Sequence, residues 1–489
     1  MNIVFNHSFR LKHDQKRTYI IAVSSDSGMS YLQGWVSKIH PIYAMIFSFI
    51  SLPMDLTDAV KKIAYFLDVN NNDINVLLKT FLESKEPFMT EYKGFKSFFP
   101  PGIIKETDGT DFAQGIKYDP SQFIYNDIDV QQERCISSPI GLVYMVTNRC
   151  ATNCLYCYAD KKTNPSLLSI EEVRYFCKDA KENGIPSITL SGGEVFMHPR
   201  WYELLKAFID YGFKPDLIST KVPLTEDTII KIKELNIKIQ ISLDAFDSTT
   251  LSKILNVKSD YFEKIKQTIL NLDRYGIDFQ IATVITNIND EIRNLEYLHV
   301  FIKKLKNLTR WEIRIAFRSL YSRDDFDTFK VSQQKTEELE TWVKSVKINS
   351  PVNILWVPNS GKKYRAGKEG SRSFMGSRCS ANFSHMVILP DGKVTICEQL
   401  YWNPRFIIGN IKNNSISEIW NSPRALYLSN IPQSNIREDN VCSDCTLYSK
   451  CSAYPNKCYA DVLKAYGDDN WDFPDPRCNK APQFINSMN

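Results

Sequence analysis

The chain has 489 residues, of which 43% are hydrophobic, 24% charged and 12% aromatic. This is the composition of an ordinary globular protein, and the length exceeds a single hydrophobic core, so we expect two to four domains. The 60 basic and 56 acidic side chains leave a formal charge of only +4, which argues against nucleic acid as the main partner.

The sequence also argues against a membrane partner. Its longest apolar stretch, IYAMIFSFISLPM, is too short to cross a bilayer, and its first residues lack the apolar region of a secretory signal. We therefore expect a cytoplasmic protein. In such a reducing compartment, twelve cysteines indicate metal or redox chemistry rather than disulfides.

The first part of the chain predicts a small α+β domain over residues 1–95. Segments 17–24 and 31–39 have strand composition and flank a Ser/Asp/Gly turn. Three helical patterns follow, at 41–51, 58–67 and 73–84, with Thr57 as a candidate N-cap. A hairpin with three helices is typical of a winged-helix-like domain. The third helix carries one lysine against two acids, which disfavours DNA binding. Residues 96–139 lack strong periodicity and predict a bridging segment.

From residue 140 the pattern changes to strands that alternate with helices. The predicted strands are 141–147, 187–194, 215–220, 237–245, 277–286 and 310–317. Repeated βα units predict an α/β domain over 140–345 with a parallel sheet, either doubly wound or curled into a partial barrel. In both architectures ligands bind at the carboxyl ends of the strands, where three cysteines directly follow the first strand.

The alternation stops near residue 346. A basic Gly/Ser-rich loop occupies 360–378, and seven cysteines lie between 379 and 478. The segment 346–489 has too little apolar periodicity for a core of its own, so metal ligation is needed to hold it together.

The spacing Cys150-x3-Cys154-x2-Cys157 places three thiols within eight residues. A [4Fe–4S] cluster normally takes four thiolates, so three leave one iron open to a small chelating molecule. A zinc ion with a distant fourth ligand is the alternative. Zinc sites usually contain C-x2-C pairs, which makes zinc the weaker interpretation.

These three cysteines, with Tyr156 as the aromatic residue, resemble the C-x3-C-x-φ-C signature of the radical S-adenosylmethionine (SAM) superfamily. The segment SGGE at 191–194 resembles the GGE motif of the same superfamily. The resemblance implies a partial (β/α)6 TIM-type barrel with SAM on the open iron. It further implies that Gly192, Gly193 and Glu194 hold the methionine amino group. Further SAM contacts implied by the resemblance are Tyr156, Ser219, Ser242, Asp244 and Arg314. Lys221 and Val222 depart from the family's usual Thr-Asn-Gly turn.

The C-terminal cysteines resemble the SPASM extension, an iron–sulfur domain of many peptide-modifying radical SAM enzymes. Its first half matches Cys379-x12-Gly392-x4-Cys397, and its second half matches Cys442-x2-Cys445-x5-Cys451. The resemblance implies two auxiliary [4Fe–4S] clusters, and thus three clusters in all. One would bind to Cys442, Cys445, Cys451 and Cys478, and the other to Cys379, Cys397 and Cys458. Zinc remains the alternative here. Cys135 and Cys177 are left as ordinary thiols.

Glu398 follows Cys397 directly, at the position where sulfatase-maturing relatives carry an acidic general base. A solvated surface carboxylate is the alternative. The N-terminal domain resembles the leader-binding RiPP recognition element of peptide maturases, in which a leader peptide adds a strand to a sheet edge.

Together these resemblances imply a radical SAM enzyme that generates a 5′-deoxyadenosyl radical. It would crosslink a ribosomally made precursor peptide with a leader through a thioether, carbon–carbon or carbon–oxygen bond. A low-potential donor such as flavodoxin or ferredoxin would supply the electron. One alternative is a maturase of a protein side chain, of the sulfatase formylglycine or quinoprotein type. The other is a non-enzymatic iron–sulfur electron carrier or DNA-binding sensor.

Overall fold

The computed structural model describes residues 1–23, 35–108, 116–160, 163–322, 324–358, 379–486 and 488. The turn of the predicted N-terminal hairpin and the basic 360–378 loop lie outside these described residues. The chain divides into two compact units, one of residues 1–141 with 180–187, the other of residues 142–179 with 188–489.

The first unit is an antiparallel α+β arrangement. Its described strands are β1 (Asn2–Phe5), β2 (Phe9–His13), β3 (Thr18–Ala22), β4 (Val36–Ile39), β5 (Met54–Asp55), β6 (Phe88–Tyr92), β7 (Phe95–Phe99) and β8 (Ile104–Glu106). Its helices are α1 (Pro41–Phe49), α2 (Leu56–Leu67) and α3 (Asn71–Glu83). The strands form the sheets β5-β1-β8 and β2-β3-β4 and the hairpin β6-β7. The three predicted helices and the two predicted strands are therefore present, and β1, β2, β5 and β6 are additional within residues 1–95.

Two details of this unit differ from the sequence-based predictions. The N-cap of α2 is Asp55, whose carboxylate accepts hydrogen bonds from the backbone N–H groups of Thr57 and Asp58. Thr57, the predicted cap, is instead the second residue of the helix, because the helix begins at Leu56. The predicted bridging segment 96–139 contains most of β7 and all of β8, and β8 pairs with β1. It is therefore part of this unit's structure.

A buried ion pair fastens the rest of that segment to the β2–β3 hairpin. Asp14 and Arg17 are both inaccessible to solvent, with Arg17 Nε 3.1 Å from Asp14 Oδ2. The carboxylate also accepts hydrogen bonds from the N–H groups of Ile136 and Ser137, and the guanidinium donates to the carbonyl of Arg134. These contacts satisfy both buried charges, which is the condition for burying them at all.

The second unit contains most of the predicted βα units. Its strands are β9 (Gly141–Met145), β10 (Ser187–Ser191), β11 (Ile218–Thr220), β12 (Ile239–Ser242), β13 (Phe279–Ile285), β14 (Leu308–Ile315), β15 (Ile354–Val357), β16 (His385–Ile388), β17 (Lys393–Thr395) and β18 (Ile407–Asn410). Its helices are α4 (Ile170–Glu182), α5 (Trp201–Asp210), α6 (Glu226–Glu234), α7 (Ser248–Leu255), α8 (Tyr261–Arg274), α9 (Ile292–Ile302), α10 (Gln333–Asn349), α11 (Ile416–Trp420), α12 (Pro423–Ser429), α13 (Tyr448–Ser452) and α14 (Tyr459–Tyr466). Helices follow the parallel strands, as the alternation predicts.

Backbone pairing divides the six predicted strands between two sheets. Strands β11 to β15 pair in chain order, all parallel. Strands β9 and β10 belong to the sheet β10-β9-β16-β17-β18, whose last three strands come from the cysteine-rich segment. The prediction of one six-stranded sheet over 140–345 was therefore wrong. It missed β15, which lies beyond residue 345, and the three C-terminal strands that extend the sheet from β9. None of the described helices is long and apolar enough to cross a membrane.

Candidate active site

The cysteine loop, residues Cys150 to Cys157, leaves the carboxyl end of β9 and is held by the end of α7. The backbone N–H of Asn153 donates to the carbonyl of Leu255 at 2.9 Å, and that of Leu155 donates to the carbonyl of Ile254 at the same distance. Carbonyls in the last turn of a helix have no partner within the helix. The loop therefore satisfies them and is fixed in return.

Two of the three loop cysteines share a cavity of about 210 Å³ with the SGGE segment. We call it the triad cavity. Its lining residues include Cys150, Cys157, Asn148, Gly192, Gly193 and Tyr401. Cys154 is buried beside Tyr156, whose hydroxyl hydrogen bonds with its thiol. The cavity thus brings together two of the three predicted cluster ligands and both glycines predicted to contact SAM.

Both glycines are required by a close approach of two backbones. A Cβ at Gly192, which has φ +120°, would lie 2.6 Å from the carbonyl oxygen of Thr147. A Cβ at Gly193 would lie 2.2 Å from that of Arg149. The N–H of Glu194 also donates to the carbonyl of Arg149 at 2.8 Å. The end of β10 therefore packs directly on the backbone that leads into the cysteine loop.

Glu194 is buried, and its carboxylate binds the end of β11. It accepts hydrogen bonds from the Thr220 hydroxyl at 2.6 Å and from the Lys221 N–H at 3.0 Å. Burial raises the pKa of Glu194, and the hydrogen bond from Thr220 and the Lys221 charge oppose that rise. The role of this carboxylate toward SAM stays a prediction.

Tyr156 and Asp244 form a second buried contact beside the loop. The Tyr156 hydroxyl donates to Asp244 Oδ2, and the Val284 N–H donates to Asp244 Oδ1 at 2.8 Å. Burial raises the pKa of Asp244, and the Lys221 ammonium opposes this most strongly. Asp244 therefore orients the aromatic residue of the signature.

The other predicted SAM contacts are less closely placed. Ser242 is buried at the end of β12. Ser219 is exposed and accepts a hydrogen bond from Gln240, whereas Thr220 is buried against Glu194. Successive side chains of a strand point to opposite faces, so Thr220 and not Ser219 reaches this site. The Arg314 side chain is about half exposed and forms an ion pair with Glu312, and its charge acts on Tyr158.

Glu398 lies in a polar group with Ser191 and Tyr158. The Ser191 hydroxyl forms hydrogen bonds with both the Glu398 carboxylate and the Tyr158 hydroxyl. Burial raises the pKa of Glu398 and raises that of Tyr158 to about 12. Ser191 begins the SGGE segment and Tyr158 follows Cys157. A proton acceptor placed here adjoins the cysteine loop.

Four C-terminal cysteines surround a second cavity of about 110 Å³, which we call the four-thiol cavity. They are Cys442, Cys445, Cys451 and Cys478. Burial raises the pKa of Cys442 to about 12 and that of Cys451 to about 11. Burial disfavours the ionised form of a thiol, whereas a bound cation or cluster favours it. This is the ligand set predicted for one auxiliary cluster.

The remaining predicted auxiliary ligands are partly brought together. The thiols of Cys379 and Cys458 form a hydrogen bond, which raises the pKa of Cys458. Cys397 accepts a hydrogen bond from the Gln399 N–H at 3.5 Å, and its membership of that group stays a prediction. Gly392 of the motif has φ +89° in the turn between β16 and β17.

Among the residues that the structure describes, no three His, Cys, Asp or Glu side chains converge closely enough for one metal ion. The four thiols line the wall of a cavity, and their binding of a cluster rather than zinc stays a prediction. Cys135 and Cys177 are buried elsewhere, as expected for ordinary thiols.

Sequence reasoning gave no role to Tyr158 and Tyr401, which contact the groups described above. Thr220 was a candidate together with Ser219, and Ser191 belongs to the SGGE motif, but neither was given a specific contact. Tyr158 directly follows the cysteine signature, and this adjacency was the available signal. Tyr401 lies 244 residues beyond Cys157 in the chain, and no local pattern points to it.

Two family models match parts of the chain that lie almost entirely in the second unit. Residues 144–296 match the radical SAM superfamily, and residues 379–446 match the iron–sulfur cluster-binding domain named SPASM. The protein is therefore a radical SAM enzyme that carries a SPASM iron–sulfur domain. SAM and iron–sulfur clusters are its cofactors, and the non-enzymatic alternatives are not supported.

The chain is similar in sequence to two peptide-biosynthesis proteins and in fold to a solved structure. The chain is 25% identical to the antilisterial bacteriocin subtilosin biosynthesis protein AlbA of Bacillus subtilis, over 67% of this chain and 68% of that protein. It is 24% identical to the sporulation killing factor maturation protein SkfB of the same species, over 59% and 67%. The crystal structure of Streptococcus suis SuiB bound to SAM has the same fold, with a TM-score of 0.61 and 14% identity, over 97% of this chain and 99% of SuiB.

Proposed function

We propose that this enzyme is a maturase that crosslinks residues of a ribosomally made precursor peptide. The observation that carries the proposal is the triad cavity, where the cysteine loop and the SGGE segment meet. When bound there, a reduced [4Fe–4S] cluster supplies one electron to SAM, which yields methionine and a 5′-deoxyadenosyl radical. Cys150, Cys154 and Cys157 would hold the cluster, and Gly192 and Gly193 line the cavity in which the methionine end of SAM would bind.

The peptide substrate is supported by the names of the relatives. AlbA is a bacteriocin biosynthesis protein, SkfB is a killing-factor maturation protein, and SuiB has been crystallised with the precursor peptide SuiA. The product bond of our proposal is a thioether, carbon–carbon or carbon–oxygen crosslink. The four-thiol cavity and the group of Cys379, Cys397 and Cys458 would hold two auxiliary clusters, and such clusters would supply an acceptor for the electron left on the substrate.

Peptide recognition is assigned to the first unit, as a RiPP recognition element. In the β2-β3-β4 sheet, β2 is covered, since the Leu11 N–H donates to the Tyr118 hydroxyl at 3.1 Å. Among the described strands, β4 is the opposite edge in backbone pairing, and β7 lies close to it. Ala22 donates to the carbonyl of Trp35, so the pairing register directs the backbone groups of Val36 and Lys38 away from β3. A leader peptide added there as a strand pairs with them.

Glu398 completes the proposal as the general base. Its raised pKa and its hydrogen bond to Ser191 suit a carboxylate that accepts a substrate proton during oxidation. A flavodoxin or ferredoxin supplies the low-potential electron, and the enzyme works in the cytoplasm without a nucleic-acid or membrane partner. That compartment is reducing, which keeps the ten ligand thiols available.

Co-expression with a candidate precursor peptide, sought among short reading frames beside the gene, tests the function. Mass spectrometry of the peptide should show a loss of two hydrogens for each crosslink, and fragmentation should locate the joined residues. The Cys154→Ala enzyme should leave the peptide unmodified. An unmodified peptide with the wild-type enzyme, despite SAM cleavage, would instead indicate a protein side chain as the substrate.

A second experiment tests leader binding. Val36→Pro removes an outward backbone N–H at an edge strand, where proline is compatible with the fold. Val36→Ala keeps that N–H and is the matched control. We expect the proline variant to bind a leader peptide at least tenfold more weakly, with the alanine variant near wild type. Equal affinities of the two variants would remove β4 from the proposal.

A further inference from the structure

Lys221 is the departure from the family pattern at the end of β11, and its main chain is already satisfied. Its N–H donates to Glu194 Oε1 at 3.0 Å, and its carbonyl accepts a hydrogen bond from the Tyr261 hydroxyl at 2.8 Å. Both contacts involve only backbone atoms of residue 221. The turn therefore forms without the lysine side chain, and its ammonium group requires another explanation.

The side chain extends toward the cysteine loop. Its ammonium nitrogen lies 5.7 Å from the centroid of the Tyr156 ring, within the range of a cation–π contact. Tyr156 lies between Cys154 and Cys157 in the chain and donates its hydroxyl hydrogen to Asp244. Lys221 therefore joins the end of β11 to the loop that carries the predicted cluster ligands.

The groups around Lys221 are acidic. Its ammonium favours the ionised forms of Cys154, Glu194 and Asp244, and so opposes the effect of burial on the pKa of each. Burial lowers the pKa of Lys221 itself, but these negative neighbours outweigh burial and raise it above the ordinary value. The side chain is therefore a cation at neutral pH, in a region of otherwise negative charge.

We propose that Lys221 is an electrostatic positioning residue of the cluster site, whose ammonium makes a cluster on Cys150, Cys154 and Cys157 easier to reduce. Reduction adds an electron to a centre already surrounded by thiolates and carboxylates. A nearby cation in a partly buried site stabilises that added charge, and the charge around a cluster is one of the factors that set its potential. The inference rests on the cluster assignment of the proposed function, and it is independent of the peptide's identity.

The test compares variants of the full-length, anaerobically reconstituted enzyme. Lys221→Gln removes the charge, whereas Lys221→Arg keeps it. The control is Lys231→Met, because the Lys231 ammonium also lies over a tyrosine, 5.9 Å from the Tyr202 ring, at an exposed position of α6. The measurements are iron content and the midpoint potential of the paramagnetic resonance signal that changes when SAM is added. That signal separates the open-iron cluster from the auxiliary ones.

We expect Lys221→Gln to shift this midpoint to more negative values, while Lys221→Arg and Lys231→Met stay at the wild-type value. Loss of the SAM-responsive signal in the glutamine variant, with retention in the arginine variant, also supports a role for the charge. Equal behaviour of the glutamine and arginine variants overturns the proposal. If the wild-type enzyme itself lacks a SAM-responsive signal, the cluster assignment fails instead.

Discussion

The carboxylate of Glu194 and the hydroxyl of Thr220 are joined by a buried hydrogen bond of 2.6 Å. Glu194 lies just after β10 and Thr220 is the last residue of β11, so this bond connects the ends of the two strands. Because a hydrogen bond to a charged group contributes about 1.5–3 kcal/mol, the pair fixes the relative position of the two strand ends.

Thr220→Val replaces that hydroxyl with a methyl group of similar size. We expect the variant to lose about 2 kcal/mol of unfolding free energy and to bind SAM more weakly, because the buried carboxylate then lacks its shortest partner. Chemical denaturation and equilibrium dialysis measure the two effects. Ser219→Ala, one residue earlier and exposed, is the matched control. A comparable loss of SAM affinity in that control would count against the orientation described here.

Gly193→Ala tests the close approach of β10 to the loop. The new Cβ would lie 2.2 Å from the Arg149 carbonyl oxygen, so the two backbones must separate. We expect a destabilisation of about 3 kcal/mol, in the range of an overpacked site, with loss of SAM binding. Gly212→Ala is the control, since it has φ +90° but no atom within 4 Å of the new Cβ. It should cost only about 1 kcal/mol and leave SAM binding intact.

Cys154→Ala removes one thiolate of the predicted open-iron cluster. Formation of 5′-deoxyadenosine, measured by liquid chromatography, should fall to background while auxiliary iron is retained. Cys177→Ala removes a buried thiol of α4 that lies outside the site, and it should retain full SAM cleavage. Persistent cleavage by Cys154→Ala would refute the ligand assignment.

Glu398→Gln separates radical generation from the later proton transfer. Burial raises the pKa of this carboxyl, so only above that raised value is it ionised and able to accept a proton. Wild-type crosslinking should therefore decline as the pH falls toward the raised pKa. The variant should crosslink about 100-fold more slowly, without this decline, and still cleave SAM. Glu338→Gln, an exposed carboxylate of α10, is expected to behave as wild type.

The stability of the first unit should depend on His40. Burial, with a smaller contribution from Lys93, lowers the pKa of His40 to about 4, and its Nδ1 accepts the Ile42 N–H as the N-cap of α1. The His40 imidazole is therefore neutral in the folded protein at neutral pH. Between pH 6.5 and 4 the unfolded chain takes up the proton first, which removes at most about 3 kcal/mol of stability.

His40→Asn keeps a capping side chain without a titrating ring. Denaturant unfolding followed across that pH range should show a smaller decline in the variant. An identical pH dependence in the two proteins would assign the effect to other groups.

Local patterns predicted much of this molecule from the sequence. Ser169 and Glu172 form the reciprocal capping contacts at the start of α4 that S-x-x-E spacing indicates. The close cysteine spacings located both cavities. These features depend on residues a few positions apart, so the sequence displays them directly.

The parts that were missed depend on distant contacts. Strand β15 is four residues long and pairs with β14, from which α10 separates it in the chain. Strand β1 is equally short. Neither has enough alternation to stand out. The sequence showed Lys221 only as a departure from a motif. Its acidic neighbours, Cys154, Glu194 and Asp244, lie in three different segments of the chain. Ser219 and Thr220 differ only in strand face, which the backbone pairing decides.

Strand β9 lies between β10 and β16 in one sheet, so the cysteine-rich segment shares main-chain hydrogen bonds with the strand that precedes the cysteine loop. The SPASM part is therefore not a detachable module. A chain cut after residue 345 would leave the edge of β9 bare and prone to aggregate. Swapping this segment between relatives would succeed only if the β9–β16 seam were transplanted with it.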